Sequence, residues 1–193
     1  MLLEKIKIML VEDDPRWQKD LAYDLEMEPD IELIKIASTK EEAVEASKLL
    51  PLDVILMDIN LTENNLDGIE ATFEISKLGN GSKIIMLTAI TDRDTIVKAI
   101  EWGAANYVSK SSIKDILSCI RDAFHNQVSL HPDATGAILR EIRLKSLTPM
   151  EKNVYNLKEE GYTRPQIAEY FHTTLDTIGT HMKNISKKLK RRH

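Results

Sequence analysis

The hydrophobic pattern changes period several times along the first two-thirds of the chain. Lys5–Val11 (KIKIMLV) is a short apolar run that reads as a strand. From Pro15 to about Glu28, Trp17, Leu21 and Leu25 recur at helical spacing. Leu33–Ala37 reads as a second strand. Ser38-x-x-Glu41 is a capping box that opens a helix, and Pro51 cannot continue it. Asp53–Ile59 (DVILMDI) is nearly all apolar, as expected of a strand buried on both faces. Asp67–Leu78 is helical up to Gly79 and Gly81. Lys83–Ala89 (KIIMLTA) reads as a fourth strand, and Thr91 caps a helix that Gly103 closes. Ala105–Lys110 reads as a fifth strand, followed by a helix over Ser112–His125. Strands that alternate with helices in this way need crossover connections. The pattern therefore predicts a doubly wound five-stranded parallel α/β sheet over residues 1–125.

Residues 126–146 carry no strand signal and read as a linker, partly helical from His131-Pro132-Asp133 through Arg143. An all-α segment is expected over residues 147–193. Thr148-Pro149-Met150-Glu151 and Thr163-Arg164-Pro165-Gln166 are capping boxes, the first with proline where a helix favours it. Thr174 caps a third helix. The expected helices are 149–160, 164–171 and 175–190, with Gly161 closing the first. The connection between the last two is short enough for a helix-turn-helix. Val154, Leu157, Ile167, Ala168, Phe171, Ile178, Ile185 and Leu189 supply a core. The rest of the last helix, with Thr174 at its start, offers Thr177, Thr180, His181, Lys183, Asn184, Lys187, Lys188 and Lys190. These hydrogen-bonding groups and cations suit bases and phosphates. A solvated lysine-rich helix end has the same composition, and the frame of three helices with tight turns favours nucleic acid.

Composition narrows the class. The chain has 193 residues, enough for two small domains, and 42% of them are hydrophobic, enough to bury a core. One cysteine, Cys119, excludes an internal disulfide framework and a cysteine-based zinc site. Glu4, Lys5 and Lys7 break the apolar start, and no apolar run is long enough to span a bilayer. A soluble, cytoplasmic protein without membrane contact is expected. The net charge of −5 divides into −10 over residues 1–125, +1 over residues 126–147 and +4 over residues 148–193. That split suits a regulated body joined to a part that meets a polyanion.

In such a sheet, ligands bind beyond the carboxyl ends of the strands. Glu12, Asp13 and Asp14 follow the first strand, Asp58 ends the third, Thr88 the fourth and Lys110 the fifth. No glycine-rich phosphate loop follows the first strand, which argues against a dinucleotide or Walker-type site. Carboxylates gathered in one place need a cation, and their hard oxygens suit Mg2+. An aspartate beside that metal is a competent nucleophile for phosphoryl transfer. Lys110 would neutralise phosphoryl charge, and the Thr88 hydroxyl could bond a phosphoryl oxygen. Each acid has a plainer reading too, because acids after a strand also cap the next helix.

These residues carry a family resemblance. MLVEDDP, ILMDI, LDGIE, MLTA and YVSK resemble the receiver domain of bacterial two-component response regulators, a flavodoxin-like fold. Leu147-Thr148-Pro149-x-Glu151, Glu160-Gly161, Gln166-Ile167-Ala168, Thr177-Ile178-x-x-His181, Ile185 and Lys188-Leu189 resemble the LuxR-type (NarL/FixJ) helix-turn-helix. Together they cover nearly the whole chain. The resemblance implies that Asp58 accepts a phosphoryl group from a sensor histidine kinase. It implies that Glu12, Asp13 and Asp58, with the backbone carbonyl of Asn60, bind Mg2+. It implies that Thr88 and Tyr107 form a switch pair and that Lys110 binds the phosphoryl group. The expected protein is a transcription regulator that binds promoter DNA and dimerises on phosphorylation or on DNA, and not a turnover enzyme.

Three departures stand out. The segment between Asp58 and Asp67-Gly68 is longer than is usual in the family, with Thr62 where proline is common. Ser111 follows Lys110 where many receivers have proline; a cis bond there would cost about 2.5–4 kcal/mol, so none is expected. Gly179 stands where the LuxR class usually has lysine. Two rivals remain at this stage. An aspartyl phosphatase would place an Asp-x-Asp nucleophile after the first strand, and here that strand is followed by Glu12-Asp13-Asp14. A phosphorylation-independent regulator would keep the fold and act by protein contacts.

Overall fold

A computed structural model describes residues 5–62, 66–88, 93–127 and 132–190. Its strands are β1 (Ile6–Val11), β2 (Ile31–Ala37), β3 (Val54–Asp58), β4 (Lys83–Thr88) and β5 (Asn106–Ser109). The helices that alternate with them are α1 (Pro15–Glu26), α2 (Lys40–Leu49), α3 (Asp67–Ser76), α4 (Arg93–Glu101) and α5 (Ile113–Phe124). The sheet is parallel throughout, in the order β2-β1-β3-β4-β5.

Side-chain alternation explains the two layers. Ile6, Ile8 and Leu10 of β1, Val54 and Leu56 of β3, Ile85 and Leu87 of β4 and Val108 of β5 share one core cluster. Leu21 and Leu25 of α1 and Ile116, Cys119 and Ile120 of α5 cover it. The intervening residues Met9, Val11, Ile55, Met57, Ile84 and Met86 are also buried. Helices α2, α3 and α4 pack on the other side, against β2, β3 and β5 respectively. At the edge, β2 is amphipathic, with Glu32 exposed and Ile31 and Ala37 buried.

The strand order reverses between β1 and β3, which opens a crevice at their carboxyl ends. Val11 pairs with Met57, so Glu12 and Asp58 follow side by side. Asp58 pairs with Leu87 and Thr88 with Ser109, which brings Thr88 and Lys110 to the same end.

Two boundaries differ from expectation. α2 is capped by Thr39, which accepts from the Glu42 amide at 3.2 Å, while Glu42 accepts from the Ser38 amide at 2.9 Å. The cap is thus Thr39 and not Ser38, and Glu42 reaches back past it to the Ser38 amide. β2 starts at Ile31 because Ile31 and Glu32 pair with Ile6 and Lys7. The expected Thr91 cap lies outside the described residues.

The chain divides into two compact units, residues 1–137 and 138–193. The division falls inside α6 (Pro132–Leu144). The second unit holds α7 (Pro149–Glu159), α8 (Arg164–Tyr170) and α9 (Leu175–Lys190). Both expected capping boxes, at Thr148 and Thr163, are formed. Leu144, Leu147, Val154, Ile167, Ala168, Ile178 and Ile185 form the core of this unit. His172, in the turn between α8 and α9, has a φ of +50°. No described helix is long and apolar enough to cross a membrane.

Gly68 is a packing requirement at the first turn of α3. A Cβ there would lie 1.8 Å from the Asp58 carbonyl oxygen, and the Gly68 amide donates to the Ile59 carbonyl at 3.0 Å. Gly68→Ala should therefore lower stability by about 1–3 kcal/mol or more in urea unfolding; an unchanged midpoint would contradict this close approach.

Candidate functional site

The three acids after β1 divide their work. Asp14 caps α1, its carboxylate accepting from the Arg16 amide at 2.8 Å. The helix-capping reading therefore holds for Asp14. Glu12 turns inward and is 1% exposed, while Asp13 stays exposed. Asp58, at the end of β3, is 6% exposed. Carboxylate oxygens of Glu12, Asp13 and Asp58 lie within 4.8 Å of one another.

Each buried acid is held on more than one side. Asp58 Oδ1 accepts from the Ile59 amide at 2.8 Å. Lys110 Nζ lies 3.0 Å from Asp58 Oδ2 and 2.5 Å from Glu12 Oε2. Burial pushes the Glu12 carboxyl above the usual carboxylate range, against the downward pull of Lys110. Burial likewise raises Asp58, opposed by the Lys110 charge.

Two residues with no signature in the sequence support this cluster. Gln18 Nε2 donates to the Glu12 carbonyl at 2.5 Å and to Ser38 Oγ at 2.9 Å, tying the loop after β1 to the loop after β2. The Trp17 ring centroid lies 5.3 Å from Lys110 Nζ, within cation–π range. Helical spacing identifies Trp17 only as an apolar position.

The donor set fits a hard divalent cation. Three carboxylates and one ammonium leave a formal charge of −2, and the exposed Asp13 keeps one side open. Asn60 Oδ1, in the loop after β3, is buried and without a hydrogen-bond partner among the described residues. The Thr62 hydroxyl donates to Asp67 Oδ2 across the lengthened part of that loop. Tyr107 is fully buried, with its amide donating to Asn106 Oδ1 at 2.8 Å. Thr88 ends β4, and its side chain lies outside the described residues. No cis peptide bond occurs among the described residues, at Ser111 or elsewhere.

The second candidate surface is α9. Ile178 and Ile185 face the core. Thr174, Thr177, Thr180, Lys183, Asn184 and Lys187 are exposed, and His181 is half-buried. The threonines are engaged locally. Thr174 Oγ1 accepts from the Thr177 amide at 3.2 Å and lies 2.9 Å from the Thr177 hydroxyl, and Thr180 donates to the Asp176 carbonyl. Lys188 pairs with the buried Glu151 at 2.6 Å, which ties α9 to the capping box of α7. Lys188 is a structural cation here. Among the described residues, no hydrogen bond or ion pair engages His181, Lys183, Asn184 or Lys187 in this way.

Comparison with known proteins agrees with both halves. The family profile of the response regulator receiver domain matches residues 8–121, more than half of the chain. The chain belongs to the response regulator family. A second profile, of bacterial regulatory proteins of the luxR family, matches residues 145–193. Transcriptional regulatory protein LiaR of Bacillus subtilis (strain 168) is 37% identical over 193 residues, covering 95% of this chain and 90% of LiaR. Response regulator protein VraR of Staphylococcus aureus (strain NCTC 8325) is 28% identical, covering 96% and 90%. The crystal structure of a LuxR-family response regulator from Aurantimonas sp. SI85-9A1 superposes with a TM-score of 0.65 at 27% identity, over 72% of this chain and 98% of that one. This response regulator therefore sits with regulators of transcription and not with turnover enzymes, which removes the phosphatase reading.

The ion pair of α9 makes a quantitative prediction. The Lys188 ammonium holds the Glu151 carboxyl below the usual carboxylate range. A depressed carboxylate contributes stability above its unfolded pKa of about 4.3 and loses it as pH falls through the folded value. Lys188→Met should cost about 1–2 kcal/mol at neutral pH, Lys187→Met less than about 0.5, and the gap should close in acid. Equal urea midpoints for the two variants at pH 7 would contradict it.

Proposed function

We propose that residues 1–125 are a phosphoacceptor domain that controls DNA binding by residues 147–193, with residues 126–146 as the linker. The observation that carries this reading is the state of Asp58. Its carboxylate is buried, fixed by the Ile59 amide, and grouped with Glu12, Asp13 and Lys110 at one mouth of the sheet. A sensor histidine kinase would be the donor. An Asp58 carboxylate oxygen attacks the phosphorus, the P–N bond to the donor imidazole breaks, and its electron pair stays on that imidazole, which takes a proton from solvent. Lys110 leaves the unreacted carboxylates and pairs with the incoming phosphoryl oxygens. Glu12, Asp13 and Asp58, with the Asn60 carbonyl, would hold Mg2+, which offsets phosphoryl charge when bound.

The aspartyl phosphate carries about 1.5–2 negative charges where the carboxylate carried one, so phosphorylation adds up to about one negative charge beside Lys110. Thr88 then turns toward the new oxygens, and Tyr107 takes up the space that it leaves. The result is a population shift in the face built by α4, β5 and α5. That shift would govern pairing of two copies on promoter DNA, with Thr174, Thr177, Thr180, His181, Lys183, Asn184, Lys187 and Lys188 as the DNA-facing set. The uncommitted Lys183, Asn184 and Lys187 support this, and Lys188 is the member already bound to Glu151. The protein would work in the cytoplasm.

Two observations favour a second reading, a regulator that acts without phosphorylation. Lys110 already bridges Glu12 and Asp58, and Tyr107 is already inside. A labelled small phosphodonor with Mg2+ separates the two. The first reading expects base-labile, hydroxylamine-sensitive label on the wild type and none on Asp58→Asn. An unlabelled wild type would support the second.

A further inference from the structure

Gly179 is the residue of α9 that the fold does not explain. Glycine is the poorest helix former after proline, and Gly179 lies inside a helix of 16 residues. Most other glycines have a structural reason, Gly136 of α6 excepted. Gly68 sits against the Asp58 carbonyl, Gly103 has a φ of +111° with Ser76 at 2.5 Å from its would-be Cβ, and Gly161 has a φ of +91°. At Gly179 a Cβ would meet nothing within 4 Å, and the backbone is not left-handed. The protein itself would accept any small residue there and gain helix stability.

The reason therefore lies in what α9 meets. Gly179 sits on the flank of the helix next to Lys183, one turn on, and Lys183, Asn184 and Lys187 are exposed and uncommitted. The major groove of duplex DNA admits a helix, and cations on that helix reach phosphates from a distance. Base edges are read only at short range, so the depth of the helix decides whether sequence is read at all. We infer that Gly179 is a specificity-determining position: its bare backbone is a contact point with the major groove, and the missing side chain sets how deeply α9 seats against base edges. This inference rests on the proposed DNA-binding role and adds to it. The cations then supply affinity that is common to all sequences, and Gly179 supplies access to the bases.

Gly136 of α6 provides an internal control. It too lies inside a helix with nothing within 4 Å of a would-be Cβ. The test uses the full chain treated with phosphodonor. A preferred duplex is first selected from a random pool. Anisotropy titrations at one fixed salt concentration then compare the wild type, Gly179→Ala and Gly136→Ala on the selected and on a scrambled duplex, beside thermal unfolding. Both variants should melt higher than the wild type. Gly179→Ala should bind the selected duplex about tenfold or more weakly, as a lost base contact does, and the scrambled duplex as the wild type does. Gly136→Ala should bind both as the wild type does. Wild-type affinity of Gly179→Ala for the selected duplex would overturn the inference, as would a lowered melting temperature, since the fold would then need the glycine. A wild type that selects no sequence would overturn the DNA-binding reading, and this inference with it.

Discussion

Like charges are held in a small space at one mouth of the sheet. At an effective dielectric of 20, two carboxylates about 4 Å apart repel by roughly 4 kcal/mol, and Glu12, Asp13 and Asp58 form such a group. The sheet imposes that proximity, because β1 and β3 run side by side and end together. The surroundings hold it in place. Gln18 fixes the carbonyl of Glu12, the Ile59 amide fixes Asp58 Oδ1, and Gly68 lets α3 begin against the Asp58 backbone. Lys110 offsets only part of the charge. The cluster keeps a net negative charge at this place, the charge that the proposed Mg2+ would offset.

The same arrangement connects chemistry to packing. The ammonium of Lys110 touches Glu12, Asp58 and, through its charge, the ring of Trp17. Any new anion on Asp58 therefore competes for a group that α1, β1 and β5 already share. The C-terminal unit uses the opposite arrangement. There the buried Glu151 carboxylate is matched by Lys188 and by the Thr148 amide, Lys152 pairs with Glu141, and Lys183 and Lys187 of α9 are exposed. One half stores uncompensated negative charge, and the other presents positive charge to solvent.

The sequence was most legible where one physical signal dominated. The buried strands announce themselves through apolar runs, and the strand-end acids follow from where those runs stop. Thr148 and Thr163 are readable caps because each is followed by proline and by a Glu or Gln at the right distance. Ser38-x-x-Glu41 has the capping-box spacing, yet the hydroxyl that caps α2 is that of the adjacent Thr39. Gln18 and Trp17 act across elements, and periodicity marks Trp17 as apolar without reporting either contact. Lys188 looks like its neighbours in a lysine-rich run, and its distinction is the distant Glu151.

Calorimetric titration of the wild-type protein with Mg2+ at several pH values tests the central claim most directly. Folded-state carboxyls raised by burial take up protons at higher pH than ordinary ones, and protons compete with metal. One site per chain is predicted, with affinity that begins to fall on acidification while the pH is still above the ordinary carboxylate range of about 4. An absence of binding at neutral pH, or an affinity that stays constant down to that range, would contradict the account.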